Sequence, residues 1–153
     1  KTLVLPILEY GVPAWHPMTS LQINKLERVE RTATCLALKQ YRGEMPYEER
    51  LRVLGWSSLV SRRDYLLCSF AIKCLYGDCD CETLRENICI NPRRLHTLSF
   101  RHLPSRTQAL FFSPSRRLPR LWDTLPPSVK DDAVISPLSS FLLSLKAAVM
   151  YGS

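Results

Sequence analysis

The chain has 153 residues, 46% of them hydrophobic, which suits one domain, or a compact domain with an appendage, and excludes a disordered polymer. No apolar run approaches the ~20 residues that a helix needs to cross a bilayer. The formal net charge is +7, carried by fifteen arginines and six lysines, and points to a polyanionic partner: nucleic acid first, an anionic membrane surface second.

The first ten residues are apolar, with Pro6 among them, and are closed by Gly11 and Pro13. They read as a helical or extended arm that packs on a neighbour outside the chain, and the start at Lys1 reads as that of a fragment or a processed piece. Trp15 follows in a loop between Pro13 and Pro17, where exposure is expected. The clearest helix runs from Thr19 to Lys39, with Thr19 or Ser20 as its cap. Ile23, Leu26, Val29 or Glu30, Ala33 and Leu36 recur at three- and four-residue steps and predict one apolar stripe. Lys25, Arg28 and Arg31 fall on other faces with Glu27 and Glu30 between them. Glu27 and Arg31 have ion-pair spacing, worth about 0.3–0.5 kcal/mol.

Gly43 breaks that pattern. Pro46 opens a short helix, Tyr47 to Leu54, which Gly55 stops. Ser57 or Ser58 caps a second long helix, whose apolar positions are Leu59, Leu66, Leu67, Phe70, Ala71, Cys74 and Leu75 and which Gly77 ends. Arg62, Arg63 and Asp64 lie near its start. A mixed connector follows over 78–90. From Asn91 to Trp122 there are seven arginines (Arg93, Arg94, Arg101, Arg106, Arg116, Arg117 and Arg120), two histidines and no acidic residue. Phe100, Phe111, Phe112 and Trp122 are interleaved with them. Pro92, Pro104, Pro114 and Pro119 predict irregular structure there, with short β segments at Leu98–Leu103 or Ala109–Phe112. Asp131-Asp132 is placed in a loop after Pro126-Pro127. A last helix from Ser136 or Pro137 to about Met150 carries the stripe Leu138, Phe141, Leu142, Leu145 and Val149. The expected fold class is mainly α: an irregular helical bundle with an Arg/Pro-rich, loop-rich C-terminal part. It divides into a helical domain over 1–77, the connector, and a basic segment over 91–153.

The acid-free arginine stretch is the strongest chemical signal. A phosphate backbone needs several cations on one surface, and interleaved aromatic rings can stack on unpaired bases. Cys79, Cys81, Cys89, His96 and His102 match the paired spacing of a structural zinc site poorly. Cys35, Cys68, Cys74 and Cys89 stand in apolar contexts and read as reduced thiols in an intracellular compartment. There is no nucleophile elbow, no phosphate-cradling glycine loop and no further carboxylate set to join Asp131-Asp132. The chain is therefore not expected to be an enzyme in its own right.

Several of these residues together resemble one family. Leu5-Pro6-x-Leu8-Glu9-Tyr10, Trp15-x-Pro17 and Leu26-Glu27-x-Val29-Glu30-Arg31-x-Ala33 come first. Tyr47-Glu48-Glu49-Arg50-Leu51-x-x-Leu54-Gly55-Trp56, Leu59 and Arg62-Arg63 follow, then Leu121-Trp122-Asp123-x-Leu125-Pro126 and Ser140-Phe141. In this order they are similar to the region after the polymerase core in non-LTR (LINE-type, CR1- or jockey-like) retrotransposon reverse transcriptases. The family often has Gln-Arg in place of Glu30-Arg31 and Trp-Asn in place of Trp122-Asp123. The Tyr/Phe-x-Asp-Asp signature of the palm is absent.

The resemblance implies a thumb and post-palm region that helps to hold a template–primer duplex. Its implied partners are RNA, an RNA–DNA duplex and the missing polymerase palm, with no membrane. It implies no cofactor here, Mg²⁺ belonging to the parent polymerase, and an intracellular, nuclear setting. Arg93, Arg94, Arg101, Arg106, Arg116, Arg117 and Arg120 are the expected phosphate ligands, with Lys25, Arg28 and Arg31 behind them. The rival expectations are a structural brace and a remnant protein-interaction module.

Overall fold

A computed structural model of the chain describes residues 4–15, 19–40, 45–77, 100, 102–135 and 137–151. They are mainly helical, as the sequence predicts. The helices are α1 (Leu5–Glu9), α2 (Ser20–Leu38), α3 (Tyr47–Leu54), α4 (Leu59–Tyr76), α5 (Gln108–Phe111), α6 (Pro114–Thr124), α7 (Pro127–Ile135) and α8 (Leu138–Tyr151).

The caps explain the helix limits. Gln22 N–H donates to Thr19 Oγ1 at 3.3 Å while Thr19 N–H donates to Gln22 Oε1 at 3.2 Å, so two orphan donors at the start of α2 are satisfied reciprocally. Lys39 closes α2 in the left-handed region at φ 54°. Ser58 Oγ accepts from Ser61 N–H at 3.2 Å at the start of α4, and Gly55 and Gly77 end α3 and α4 at φ 60° and 86°.

The structure corrects several expectations for the C-terminal part. Ala109–Phe112 is not β, because residues 108–111 form α5, capped by Thr107. Pro114 and Pro119 do not break regular structure over 114–124. Pro114 occupies the first turn of α6, where no N–H is needed, and Pro119 sits inside the helix, buried on its core face. The loop expected after Pro127 is helix α7, with Asp131-Asp132 inside it. The described part of the basic segment is therefore helical rather than loop-rich. The proposed β segment at Leu98–Leu103 falls mostly outside the described residues, as does the connector over 78–90.

Helix α4 is the axis of the fold and packs against α1, α2, α6 and α8. Toward its C-terminal half the contact is apolar. Cys68, Ala71 and Ile72 meet Phe100, Leu118, Trp122, Leu125, Val129, Phe141 and Leu145 in one cluster. Phe100 stands edge-on to Trp122 at 5.1 Å, and Phe141 lies tilted at 6.2 Å from the same indole. This cluster joins residues from both sides of the 78–90 connector, so the packing is continuous across that proposed boundary.

The N-terminal arm differs from expectation too. Leu5, Leu8 and Val12 are buried, with α1 packed on α4, so the arm finds a neighbour inside the chain. Ile7 and Tyr10 point outward, 75% and 81% exposed.

Candidate functional site

At the N-terminal end of α4 the burial is polar. The predicted apolar stripe of α2 is not the face that it buries. Glu27, Glu30 and Thr34 are buried, Ile23, Leu26 and Ala33 are half-buried, and Val29 and Leu36 are exposed. The reason is the adjoining start of α4, which presents backbone N–H groups that need acceptors. Leu59 N–H donates to Glu30 Oε2 at 2.8 Å and Val60 N–H to Glu27 Oε1 at 3.2 Å. With Ser58 serving Ser61, the first turn of α4 is capped largely by side chains from another helix. Tyr47 Oη from α3 lies 2.8 Å from Glu27 Oε2 and 2.7 Å from Glu30 Oε2. The expected Glu27–Arg31 pair does not form, since Arg31 instead stands 5.0 Å from the centre of the Tyr47 ring.

Turning both acids inward leaves the outer surface of α2 without a carboxylate. Lys25, Arg28, Arg31 and Lys39 are all exposed on it, and no ion pair among the described residues holds any of them. At 1.5 Å per residue, Lys25 to Lys39 spans ~21 Å. Leu21, Val29 and Leu36 share this outward side.

The C-terminal arginines are placed differently. Arg106 is exposed, and Arg116 is half-buried. Arg117 is buried, and its Nη2 donates to Asp64 Oδ1 on α4. Burial is the largest influence on both partners, pushing Asp64 above the usual carboxylate range and Arg117 below the usual arginine value. Desolvation thus opposes the pairing, as buried ion pairs commonly show. Arg120 donates from Nε to the Arg116 carbonyl at 3.2 Å and from Nη2 to the Phe111 carbonyl, with its guanidinium 3.5 Å from the Phe111 ring centre. Arg93, Arg94 and Arg101 lie outside the described residues. Of the seven expected phosphate ligands, Arg117 is committed to the interior and Arg120 to its own neighbourhood.

Arg63 and Arg50 are structural residues that sequence reasoning missed. Arg63 is 2% exposed. Its Nη1 donates to the Leu8 carbonyl at 2.6 Å and its Nη2 to the Trp15 carbonyl at 2.9 Å, with the guanidinium 4.0 Å from the Trp15 ring centre. Arg62 pairs with Glu9 beside it. Trp15, exposed as predicted, is held by Nε1–H donating to the Tyr10 carbonyl at 2.7 Å. Arg50 Nε donates to Thr34 Oγ1 at 3.1 Å and Nη1 to the Met45 carbonyl at 2.5 Å, tying α3 to α2. Spacing held the signal: Arg63 is four residues from both Leu59 and Leu67, on the buried stripe of α4.

A pocket of about 210 Å³ lies between α2, α4 and α6, lined by Ile23, Leu26, Leu59 and Val60 with Glu27, Arg63 and Arg117. Its polar side chains already have the partners described, so its free wall is apolar. Cys68 and Cys74 are buried and Cys35 is half-buried, none of the three in a disulfide. Burial pushes the Cys68 thiol up to about 12, which makes it a poor nucleophile. Among the described residues, no group of three or more His, Cys, Asp or Glu side chains could hold a metal ion. Cys79, Cys81, Cys89 and His96 lie outside them, and His102 Nε2 contacts Asp123 Oδ2 at 2.6 Å. Among the described residues no helix is long and apolar enough to cross a membrane.

Comparison of the chain with protein-family models, with curated proteins and with solved structures finds no match to any of them.

Proposed function

We propose that the chain is a nucleic-acid-binding accessory region of a retrotransposon RNA-directed DNA polymerase, gripping a template–primer duplex without catalytic residues of its own. The observation that carries this reading is the segregation of charge on α2. Glu27 and Glu30 are consumed inside, so Lys25, Arg28 and Arg31 form an outward cationic row with Lys39. Such a row suits backbone phosphates read by charge and shape, as in A-like duplexes. Weight therefore shifts from the arginines of α6 to α2, with Arg106 retained.

The test is binding of a short RNA–DNA duplex to the full chain over a salt series. Each phosphate contact contributes roughly 0.7–0.9 to the log–log salt slope, so changing Lys25, Arg28 and Arg31 to Ser should lower it by roughly 2–3. No binding at low salt, or a slope unchanged by the triple substitution, would overturn the reading. A structural brace is the second reading, favoured by the engagement of Arg50, Arg63 and Arg117 in the interior. On that reading the triple substitution leaves duplex affinity alone.

A further inference from the structure

The hydrogen-bond count around Tyr47 does not close with ordinary ionisation. A phenol has one proton to donate, yet Tyr47 Oη lies within 2.8 Å of one Glu27 oxygen and 2.7 Å of one Glu30 oxygen. Two contacts of this length on one hydroxyl need two protons among the three groups. Tyr47 supplies one, to the carboxylate that remains ionised; the other must sit on a carboxyl that donates to Tyr47 Oη.

We propose that Glu30 keeps its carboxyl proton in the folded chain and donates it to Tyr47 Oη while Tyr47 donates to Glu27, a bridge that locks α2, α3 and the start of α4 together. Independent features agree. Glu30 is fully buried, and its Oε1 is enclosed with no hydrogen-bond partner among the described residues, which a full negative charge would not tolerate well. Burial, with the neighbouring Glu27 charge, drives the Glu30 carboxyl above its ordinary range against the Tyr47 and Leu59 hydrogen bonds and the Arg62 charge.

The surrounding cations do not neutralise the pair. From α2, Arg31 stacks on the Tyr47 ring; from α3, Arg50 lies 5.9 Å from that ring and donates to Thr34 and Met45. From α4, Arg62 is paired with Glu9 and Arg63 holds two carbonyls; from α6, Arg117 is paired with Asp64. No salt bridge among the described residues reaches Glu27 or Glu30.

The sign follows from linkage. A carboxyl whose folded value is raised gives stability that is complete below the unfolded glutamate value near ~4.3 and is lost as pH rises through the folded value. Between those limits folding takes up one proton, and the folded-to-unfolded ratio falls by about tenfold per pH unit. The experiment measures denaturant unfolding of the full chain from pH 5 to 9, with isotope-edited infrared detection of a protonated glutamate carbonyl at pH 6. Wild type should show the falling slope and the protonated-carboxyl band. Glu30→Gln, which carries a permanently neutral amide, should lose the band and flatten the slope by the share Glu30 contributes, Asp64 keeping its own share. Absence of the band in wild type, or the same slope in Glu30→Gln, overturns the proposal. If Glu30→Gln does not fold, the wild-type band decides alone. None of these readouts involves nucleic acid.

Discussion

At the scale of single residues, the buried arginines separate position from charge. Arg63 spans two carbonyls, Leu8 and Trp15, with one planar fork, and its ring contact with Trp15 fixes the plane of that fork. An ammonium has no such fork, so Arg63→Lys should not rescue what Arg63→Met loses. Both variants should lose about 2–4 kcal/mol, because a buried and a half-buried carbonyl lose the fork that serves both. Denaturant titration read by tryptophan fluorescence checks it, and a Lys variant as stable as wild type would refute the fork argument. Gly11 supports the same turn. It sits at φ +64°, and a Cβ there would meet the Trp15 ring at 3.2 Å.

At the scale of elements, α2 shows local rules and tertiary demands acting on one helix. Its start has a reciprocal cap and needs nothing more. Its end places a lysine, not a glycine, in the left-handed region, which costs about 1 kcal/mol or more in a residue with a Cβ. Lys39→Gly should therefore raise stability by roughly 0.5–1 kcal/mol, after the added freedom of the unfolded chain is counted. Thermal unfolding of the two proteins tests this, and a lower midpoint for the glycine variant would show that Lys39 contributes more through its side chain than its backbone costs. The start of α2 and the limits of α3 and α4 were legible because capping residues act within four positions. The buried face of α2 was not. Its apolar stripe pointed one way, while the unsatisfied N–H groups of α4, about thirty residues later, drew Glu27 and Glu30 to the other. A proline at the first turn of α6 and another inside it were likewise read as breakers, because local rules do not weigh the burial of Leu118 and Trp122 that sustains the helix.

At the scale of the whole molecule, the apolar cluster around Trp122 joins α4 to α6, α7 and α8. The two parts that the sequence suggested should therefore unfold together. Calorimetry should give one transition, and Trp122→Ala should lower the stability of the entire fold by about 3–5 kcal/mol. Two separable transitions, with only the later one moved by the substitution, would show that the parts fold independently. The charge is organised at this scale as well. Arginines that look equivalent in the chain are divided between interior ties, Arg50, Arg63 and Arg117, and an outward row on α2.

The sequence by itself determined the helical class, the cap that starts α2, the limits of α3 and α4, the apolar stripe of α8 and the net positive charge, because each depends on composition or on neighbours a few residues apart. The tertiary structure alone decided which arginines remain at the surface and which acids cap another helix. It also decided that α1 packs on α4. Those outcomes turn on where distant backbone donors and acceptors come to lie, and spacing along the chain does not encode that. The stretch from 91 to 122 shows the division most sharply. Its lack of acid is plain in the sequence, yet Arg117 finds Asp64 fifty-three residues earlier.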